Sequence, residues 1–312
     1  MNKCLYCYGS IEKGSDFHEK CSLKFFGIPH APKIDYTLDQ MSDLAQQVVQ
    51  RSETVPGVQA KLSMSLIEKS KEYSDTRLTV VGALGGNYIF KPPAEDYPEM
   101  PQNEHATMRM AEAFGIKVAA SSLIRLKSGE LSYITERMDR TSDGGKIHML
   151  DMFQILEAFD KYRSSMEKVG KAIRKHSAHT MLDTLSFFEL VVLSFLTGNN
   201  DMHLKNFSMI DTSSGWTLSP AYDLLNVSIL LPEDTEELAL TLGGKKKKLK
   251  LDDFLTLGEG LGLTTKQIEG TFKRFKKHFP SAFQCLERSF LSEDMKCLYK
   301  EIIAERRGRL AI

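Results

Sequence analysis

The sequence predicts an α+β chain, strand-rich in its first half and mainly helical in its second, and three observations predict it. Short alternating or β-rich runs punctuated by glycine fall early: Leu62-Ser-Met-Ser-Leu66, Leu78-Thr-Val-Val-Gly-Ala83 and Asn87-Tyr-Ile-Phe90. An almost wholly apolar run from Leu185 to Leu196, interrupted by Ser186, Glu189 and Ser194, reads as a buried helix. Thr264 to Lys277, Ser281 to Phe290 and Glu293 to Arg309 have helical composition. At 312 residues the chain is long enough for one large two-lobed domain.

The first thirty residues hold Cys4-x2-Cys7 and then His18-x2-Cys21. Each pair can close a small chelate, and together they offer the four ligands of a structural zinc site, with Phe17, Phe25 and Phe26 to pack around it. Four protein ligands would leave no open position for catalysis. Reduced cysteines, equally, need no metal.

Gly57-Val-Gln-Ala-Lys61 follows Pro56 and enters the Leu62 strand, so its small residues would let backbone N–H groups approach phosphates, or simply form a turn. Leu84-Gly85-Gly86 lies between two strand signals. Two strands joined there by a glycine turn would put Lys91 at a strand end, where a fixed ammonium can grip phosphates, unless it is an ordinary surface lysine before Pro92-Pro93. Asn103 to Gly115 reads as a helix with Asn103 as N-cap and Gly115 as C-terminal stop. Ala106, Met110, Ala113 and Phe114 would share one side of it. Glu104 is a candidate to orient Lys91, although a first-turn Glu also stabilises a helix without further function.

Gly198-Asn-Asn-Asp-Met-His-Leu-Lys-Asn206 sets Asp201 five residues before Asn206, and Ala221-Tyr-Asp223 follows. This is the spacing of a phosphoryl-transfer loop, without its His-Arg pair and without a Gly after the last Asp. Asp201 would orient, and deprotonate, an acceptor hydroxyl. Asn206 and Asp223 offer hard oxygens for Mg²⁺, and Lys205 a cation for developing charge. The same residue types also make polar turns. Between the loop and Asp223, Phe207 to Ile210 and Trp216 to Leu218 flank Asp211-Thr-Ser-Ser-Gly215, the signature of a hairpin.

With 41 basic and 41 acidic residues the chain has no net formal charge, unlike a strongly basic nucleic-acid binder. No direct nucleic-acid contact is expected. The run Lys245 to Lys248 after Gly243-Gly244 reads as a solvated turn between strands, with attraction of an acidic partner or RNA as the alternative. Five cysteines do not suggest a secreted disulfide framework, and neither a signal peptide nor a membrane-length apolar run is visible. The expectation is a cytoplasmic protein without a membrane partner.

Taken in order, Gly57-Val-Gln-Ala-Lys61, Ile89-Phe-Lys-Pro92, Asn103-Glu-His-Ala-Thr107, Glu136-Arg-Met-Asp-Arg140, Gly198 to Phe207 and Leu218-Ser-Pro-Ala-Tyr-Asp223 resemble the HipA-type bacterial serine/threonine kinases, the toxins of toxin–antitoxin modules. The resemblance covers roughly residues 50 to 310. It implies a two-lobed protein-kinase-like fold with ATP between the lobes, a β-rich N-lobe over residues 31–138 after the Cys/His segment 1–30, and a helical C-lobe over 139–312 carrying the loop 198–207. It implies Asp201 as catalytic Asp, Asn206 and Asp223 as Mg²⁺ ligands, Lys91 on nucleotide phosphates with Gly57 and Lys61, and Glu136 with Met138 at the adenine hinge.

The short, HipT-like members carry a regulatory Ser-x-Ser before the glycine. Here Thr54 and Pro56 replace that pair, which makes Thr54, then Ser52, the implied autophosphorylation sites. The implied partners are a protein substrate, an aminoacyl-tRNA synthetase by analogy, a small separate protein equivalent to the family's usual N-terminal domain, and a DNA-binding antitoxin. A nucleotide-binding pseudokinase and a zinc-stabilised adaptor module are the alternatives.

Overall fold

The computed structural model describes residues 2–41, 43–44, 61–67, 76–81, 86–141 and 143–312. Gly57, Thr54 and Ser52 lie outside these described residues. The chain divides into two compact units: Met1–His105 with Ala119–Gly145 and Arg288–Phe290, and Ala106–Val118 with Lys146–Glu287 and Leu291–Ile312.

The first unit begins with a small antiparallel hairpin, β1 (Asn2–Lys3) and β2 (Ser10–Ile11), and a helix Glu19–Phe26. Its main element is an antiparallel sheet of β3 (Leu62–Ile67), β4 (Arg77–Val80), β5 (Tyr88–Lys91), β6 (Ser121–Arg125) and β7 (Leu131–Glu136). The order is β4-β3-β5-β7-β6. In β3 the buried Leu62 and Met64 alternate with the half-buried Ser63 and Ser65, the period of a strand with one face on a core.

That order corrects one expectation. The strands around Leu84-Gly85-Gly86 do not pair with each other, because β3 lies between them and bonds to both, Met64 facing Val80 on one side and Tyr88 on the other. Two sequential strand signals and a glycine do not exclude an earlier strand from inserting. Gly86 has φ +81°, and a Cβ there would stand 2.5 Å from the Met64 carbonyl oxygen, so this glycine serves a close approach of backbone to backbone.

The N-terminal segment shares its core with the sheet. Phe25 and Phe26 are buried, with ring centroids 5.8 and 5.9 Å from that of Tyr88 on β5, and join Leu62, Met64, Phe90 and Ile134. Phe17 packs edge-on against Phe26 at 5.5 Å.

The helix expected from Asn103 starts earlier, at Met100, and runs to Ala113. Asn103 is therefore a fully buried interior residue whose own N–H donates to Glu99 O, and not an N-cap. Pro101 explains the earlier start, since it suits a first turn that needs no N–H donor. The one-sided apolar face is also replaced: residues 103–108 are all buried, polar ones included. Gly115, at φ +85°, ends the helix as expected.

In the second unit the apolar run forms the helix Thr180–Leu196. Its two buried polar interruptions are satisfied internally, Ser194 Oγ donating to Leu190 O at 2.7 Å and Glu189 pairing with Arg274 at 2.6 Å, while Ser186 is exposed. A three-stranded antiparallel sheet, order β10-β9-β8, joins β8 (Met149–Asp151), β9 (Ser208–Thr212) and β10 (Gly215–Leu218), so the hairpin read around Asp211 to Gly215 is present.

The two helical segments expected on either side of Pro280 are one helix, Thr265–Arg288. Phe272, Phe275, Phe279, Ala282 and Leu286 continue a single buried stripe through the proline. Packing of that stripe outweighs the backbone hydrogen bond that proline forfeits. The Glu293–Arg309 helix follows. No helix among the described residues is long and apolar enough to cross a membrane.

Candidate active site

The Thr180–Leu196 helix delivers the polar loop. Thr197 closes it, with Oγ1 donating to Leu193 O at 2.9 Å, and Gly198 turns the chain at φ +73°. A Cβ at Gly198 would stand 2.4 Å from Asn226 Oδ1, so both conformation and space demand glycine. The Gly198 carbonyl accepts from Val227 N, Ser228 N and Ser228 Oγ at 3.0–3.1 Å. The loop is thereby anchored to the segment just past Asp223.

Asp201 and Asn206 are tied directly. Asn206 Nδ2 donates to Asp201 O at 2.9 Å, Asn206 N to His203 O at 2.9 Å, and His203 N to Asp201 O at 2.8 Å. With its NH₂ group engaged on the loop, Asn206 presents an amide oxygen to any cation. Asp201 Oδ1 accepts from Tyr162 Oη at 2.8 Å. Burial, then the Asp201 charge and hydrogen bond, push the Tyr162 phenol far above its ordinary range, so it remains a donor.

Asp223 follows Tyr222, whose Oη lies 2.6 Å from Ser208 Oγ and donates to Lys205 O at 2.8 Å. Asp223 itself has φ +59°, a left-handed conformation that side-chain-bearing residues rarely hold without a local reason. Asp201 and Asp223 both act electrostatically on buried His203, but burial dominates and lowers its pKa, favouring the neutral ring. Lys205 is exposed, its Nζ 4.8 Å from the Phe153 ring centroid.

In the other unit, Lys91 ends β5 and its Nζ lies 2.6 Å from Glu104 Oε1, with side chains 4% and 1% exposed. A surface-lysine reading of Lys91 is excluded. An ion pair this deeply buried is an expensive way to gain stability and suggests another use. Lys61 is exposed and directly precedes β3. Glu136 ends β7, its N–H donating to Ala120 O at 3.0 Å, and Met138 sits half-buried after it. The next residues form a charge cluster: Asp139 accepts from Arg137 at 2.7 Å and from Arg140 at 2.5 Å.

Cys4, Cys7, His18 and Cys21 converge within the same unit, their candidate ligand atoms all within 4.8 Å of one another. A wide cleft of about 1200 Å³ lies along Ser10 to Glu19, Pro29 to Asp35 and Ile124 to Lys127. It contains none of the proposed phosphoryl-transfer residues.

The basic run 245–248 is folded back on acidic partners: Lys245 pairs with Asp253 at 2.8 Å and Lys246 with Glu236 at 3.0 Å, while Lys247 Nζ donates to Thr235 Oγ1 at 2.5 Å. Sequence reasoning missed Tyr162, His203 and Asn226. Tyr162 lies 39 residues before Asp201 and Asn226 lies 28 after Gly198, and neither carries a local signal.

The family model described as the HipA-like C-terminal domain matches residues 54–283. A Haemophilus influenzae protein named as a candidate kinase is 29% identical over 248 residues, 70% of this chain and 70% of that protein. The serine/threonine-protein kinase toxin HipA of Shewanella oneidensis is 27% identical over 254 residues, 73% of this chain but 56% of the toxin's length. In fold, the chain resembles HipA of Shewanella oneidensis, solved with HipB and operator DNA, at a TM-score of 0.69 and 22% identity, over 86% of this chain and 71% of that one. It also resembles the Helicobacter pylori proinflammatory kinase CtkA, at 0.55 and 18% identity, over 79% and 93% of the two chains. The architecture is thus a kinase-like α+β fold, and the chain belongs to the HipA-like C-terminal domain family.

Proposed function

We propose that this chain is a Mg²⁺-ATP-dependent serine/threonine protein kinase, acting as the toxin of a bacterial toxin–antitoxin system. The observation that carries the reading is the Asn206–Asp201 tie, which braces the acceptor-orienting Asp and the metal-facing amide in one loop. Family membership supports it, as does the buried Lys91–Glu104 pair. Oxygen donors from Asn206 and Asp223 suit a hard divalent cation, and Mg²⁺ is the one that accompanies phosphates.

Bound Mg²⁺-ATP would supply the phosphoryl group and the neutralising charge. Asp201 orients the acceptor hydroxyl and receives its proton. Lys205, exposed on the same loop, presents an ammonium to developing charge. Lys91 holds nucleotide phosphates together with Lys61 and the backbone at Gly57, and Glu104 fixes the Lys91 ammonium. Glu136 and Met138 form the adenine hinge. Phosphorylation at Thr54, or at Ser52, would place negative charge beside Gly57 and repel nucleotide phosphates.

The HipB complex of the Shewanella protein supports a DNA-binding antitoxin as partner here. A small separate protein equivalent to the family's usual N-terminal domain is the second partner proposed. An aminoacyl-tRNA synthetase is the proposed substrate, which sets the site of action in the cytoplasm. Structural Zn²⁺ at the Cys/His cluster is the remaining cofactor proposed.

The test is autophosphorylation with labelled Mg²⁺-ATP, comparing wild type with Asp201→Ala and mapping the label by mass spectrometry. Label on Thr54 or Ser52 in wild type alone supports the proposal. Asp201→Ala should keep nucleotide binding and lose transfer by orders of magnitude. Nucleotide binding without label on the chain or on a cell-extract substrate pool would replace it with the pseudokinase.

A further inference from the structure

Cys4 and Cys7 sit in the tight turn of the β1–β2 hairpin. Tyr8 N donates to Cys4 O at 2.9 Å and Cys4 N to Gly9 O at 2.8 Å, with Tyr8 at φ +61°. The second pair opens the Glu19–Phe26 helix: His18 is its N-cap residue but makes no side-chain cap, and Cys21 N donates to His18 O at 2.9 Å. Turn and helix start aim two cysteines and a histidine–cysteine pair at one point.

The spacing there fits one ion. His18 Nδ1 lies 3.4 Å from Cys7 Sγ and 3.7 Å from Cys21 Sγ. A tetrahedral zinc with Zn–S of about 2.3 Å and Zn–N of about 2.0–2.1 Å sets S···N edges near about 3.6 Å and S···S edges near about 3.8 Å. The two sulfur–imidazole edges already have that length. All other edges lie within 4.8 Å, so closing the tetrahedron asks for shifts of at most about 1 Å.

The imidazole is oriented for ligation. His18 Nε2 lies 2.9 Å from Ser10 O, and because a carbonyl only accepts, the neutral ring would carry its proton on Nε2 and offer Nδ1, which faces the thiols, as the ligand nitrogen. Gly9 keeps the space clear, since a Cβ there would stand 3.2 Å from His18 Cε1 and 3.3 Å from Cys7 Sγ. Reduced thiols packed as small apolar groups would require neither the carbonyl that fixes the tautomer nor the clearance at Gly9.

We infer that Cys4, Cys7, His18 and Cys21 form a closed structural zinc site whose turn positions the helix carrying Glu104. The link is Tyr8, inside the Cys4–Gly9 turn: its hydroxyl is 2.8 Å from His105 Nδ1, with the two rings edge-on at 5.1 Å. His105 follows Glu104, the partner of Lys91. Zinc fixes the turn, the turn fixes Tyr8, and Tyr8 holds the first turns of the Met100–Ala113 helix. Only the importance of Glu104 for phosphoryl transfer rests on the kinase reading; the metal site and its mechanical link do not.

The experiment uses the full chain, purified under reducing conditions, with metal content measured by mass spectrometry, cobalt(II) titration of the chelator-stripped protein, and hydrogen exchange over residues 100–113. About one zinc per chain is expected, together with the visible absorption of tetrahedral cobalt with thiolate-to-cobalt charge transfer. Cys4→Ser and Cys21→Ser should lower stoichiometry, and stripping should speed exchange in the helix about tenfold or more. Tyr8→Phe should keep zinc and still speed that exchange.

Absence of retained zinc with an octahedral cobalt spectrum, or a Cys4–Cys7 disulfide in its place, would overturn the site. Zinc present with helix exchange unaffected by stripping would overturn the link. If the cysteine variants fail to fold, the cobalt spectrum of the wild type decides. None of these readouts involves ATP, so the site can fail while the kinase stands, and the reverse.

Discussion

The side-chain amide of Asn206 donates to the backbone carbonyl of Asp201 across 2.9 Å, so the two residues whose spacing stands out in the sequence are also joined in the structure. Asn206 is 5% exposed, and its donor role and its oxygen can be separated by substitution. Asn206→Asp keeps an oxygen for a cation but turns an acceptor toward an acceptor. We expect a loss of about 1–3 kcal/mol in denaturant unfolding without metal, partly recovered by Mg²⁺. Unchanged stability would mean that the tie does not hold the loop.

Lys91 and Glu104 leave no room for a neutral outcome. Glu104→Gln removes the carboxylate charge facing an ammonium that is nearly inaccessible to water, and breaking such a pair costs about 3–5 kcal/mol. The double variant Lys91→Met with Glu104→Leu should recover most of that stability and yet transfer no phosphate. Urea melts of the three proteins give the answer, and a single variant as stable as wild type would contradict the burial argument.

Tyr162 donates to the carboxylate oxygen that an acceptor hydroxyl would use. Tyr162→Phe removes that competitor without changing ring packing on His203, whose centroid is 5.1 Å away. The expected result is a KM for acceptor peptide lower by about 2- to 10-fold with kcat little changed, the range of one hydrogen bond. A tenfold fall in kcat instead would make Tyr162 a residue that positions Asp201.

Asp139 carries the pH dependence of the segment after β7. Burial raises its pKa, but the hydrogen bond and charge of Arg137, with those of Arg140, outweigh it and hold the carboxyl below its ordinary value. A depressed folded-state pKa means that the unfolded chain binds the proton more readily. The stabilisation is therefore complete above the unfolded value of about 3.9 and is lost as pH falls through the folded value. Asp139→Asn should cost on the order of 1 kcal/mol at neutral pH, because the group is partly solvated, and should flatten the acid limb of a stability–pH curve. Parallel acid limbs in the two proteins would remove Asp139 from the account.

What could be read in the sequence was local. The Leu185 to Leu196 helix and the hairpin before Asp223 follow from runs of consecutive residues, and the structure contains both. Lys91 at a strand end was legible for the same reason. The order of β4, β3 and β5 was not, since pairing with an intervening strand is decided by long-range contacts that no adjacent residue records. Asn103 and Pro280 each carried a strong local signal that burial overrode. The hydrogen bond from Tyr162 to Asp201 depends on a fold that brings residues 39 positions apart together, and no neighbouring residue signals it.

Arg306, in the Glu293–Arg309 helix, reaches back to donate to Phe195 O at 2.7 Å and to Ser228 Oγ at 3.0 Å, and Ser228 in turn grips the Gly198 carbonyl. The entrance to the loop is bolted by a residue 111 positions downstream of Phe195. A protease that clipped the last helix would leave every recognisable motif uncut and remove their brace. During synthesis, likewise, Asp201, Asn206 and Asp223 emerge before the arginine that stiffens their loop, so the loop gains its brace only once the chain has continued to Arg306.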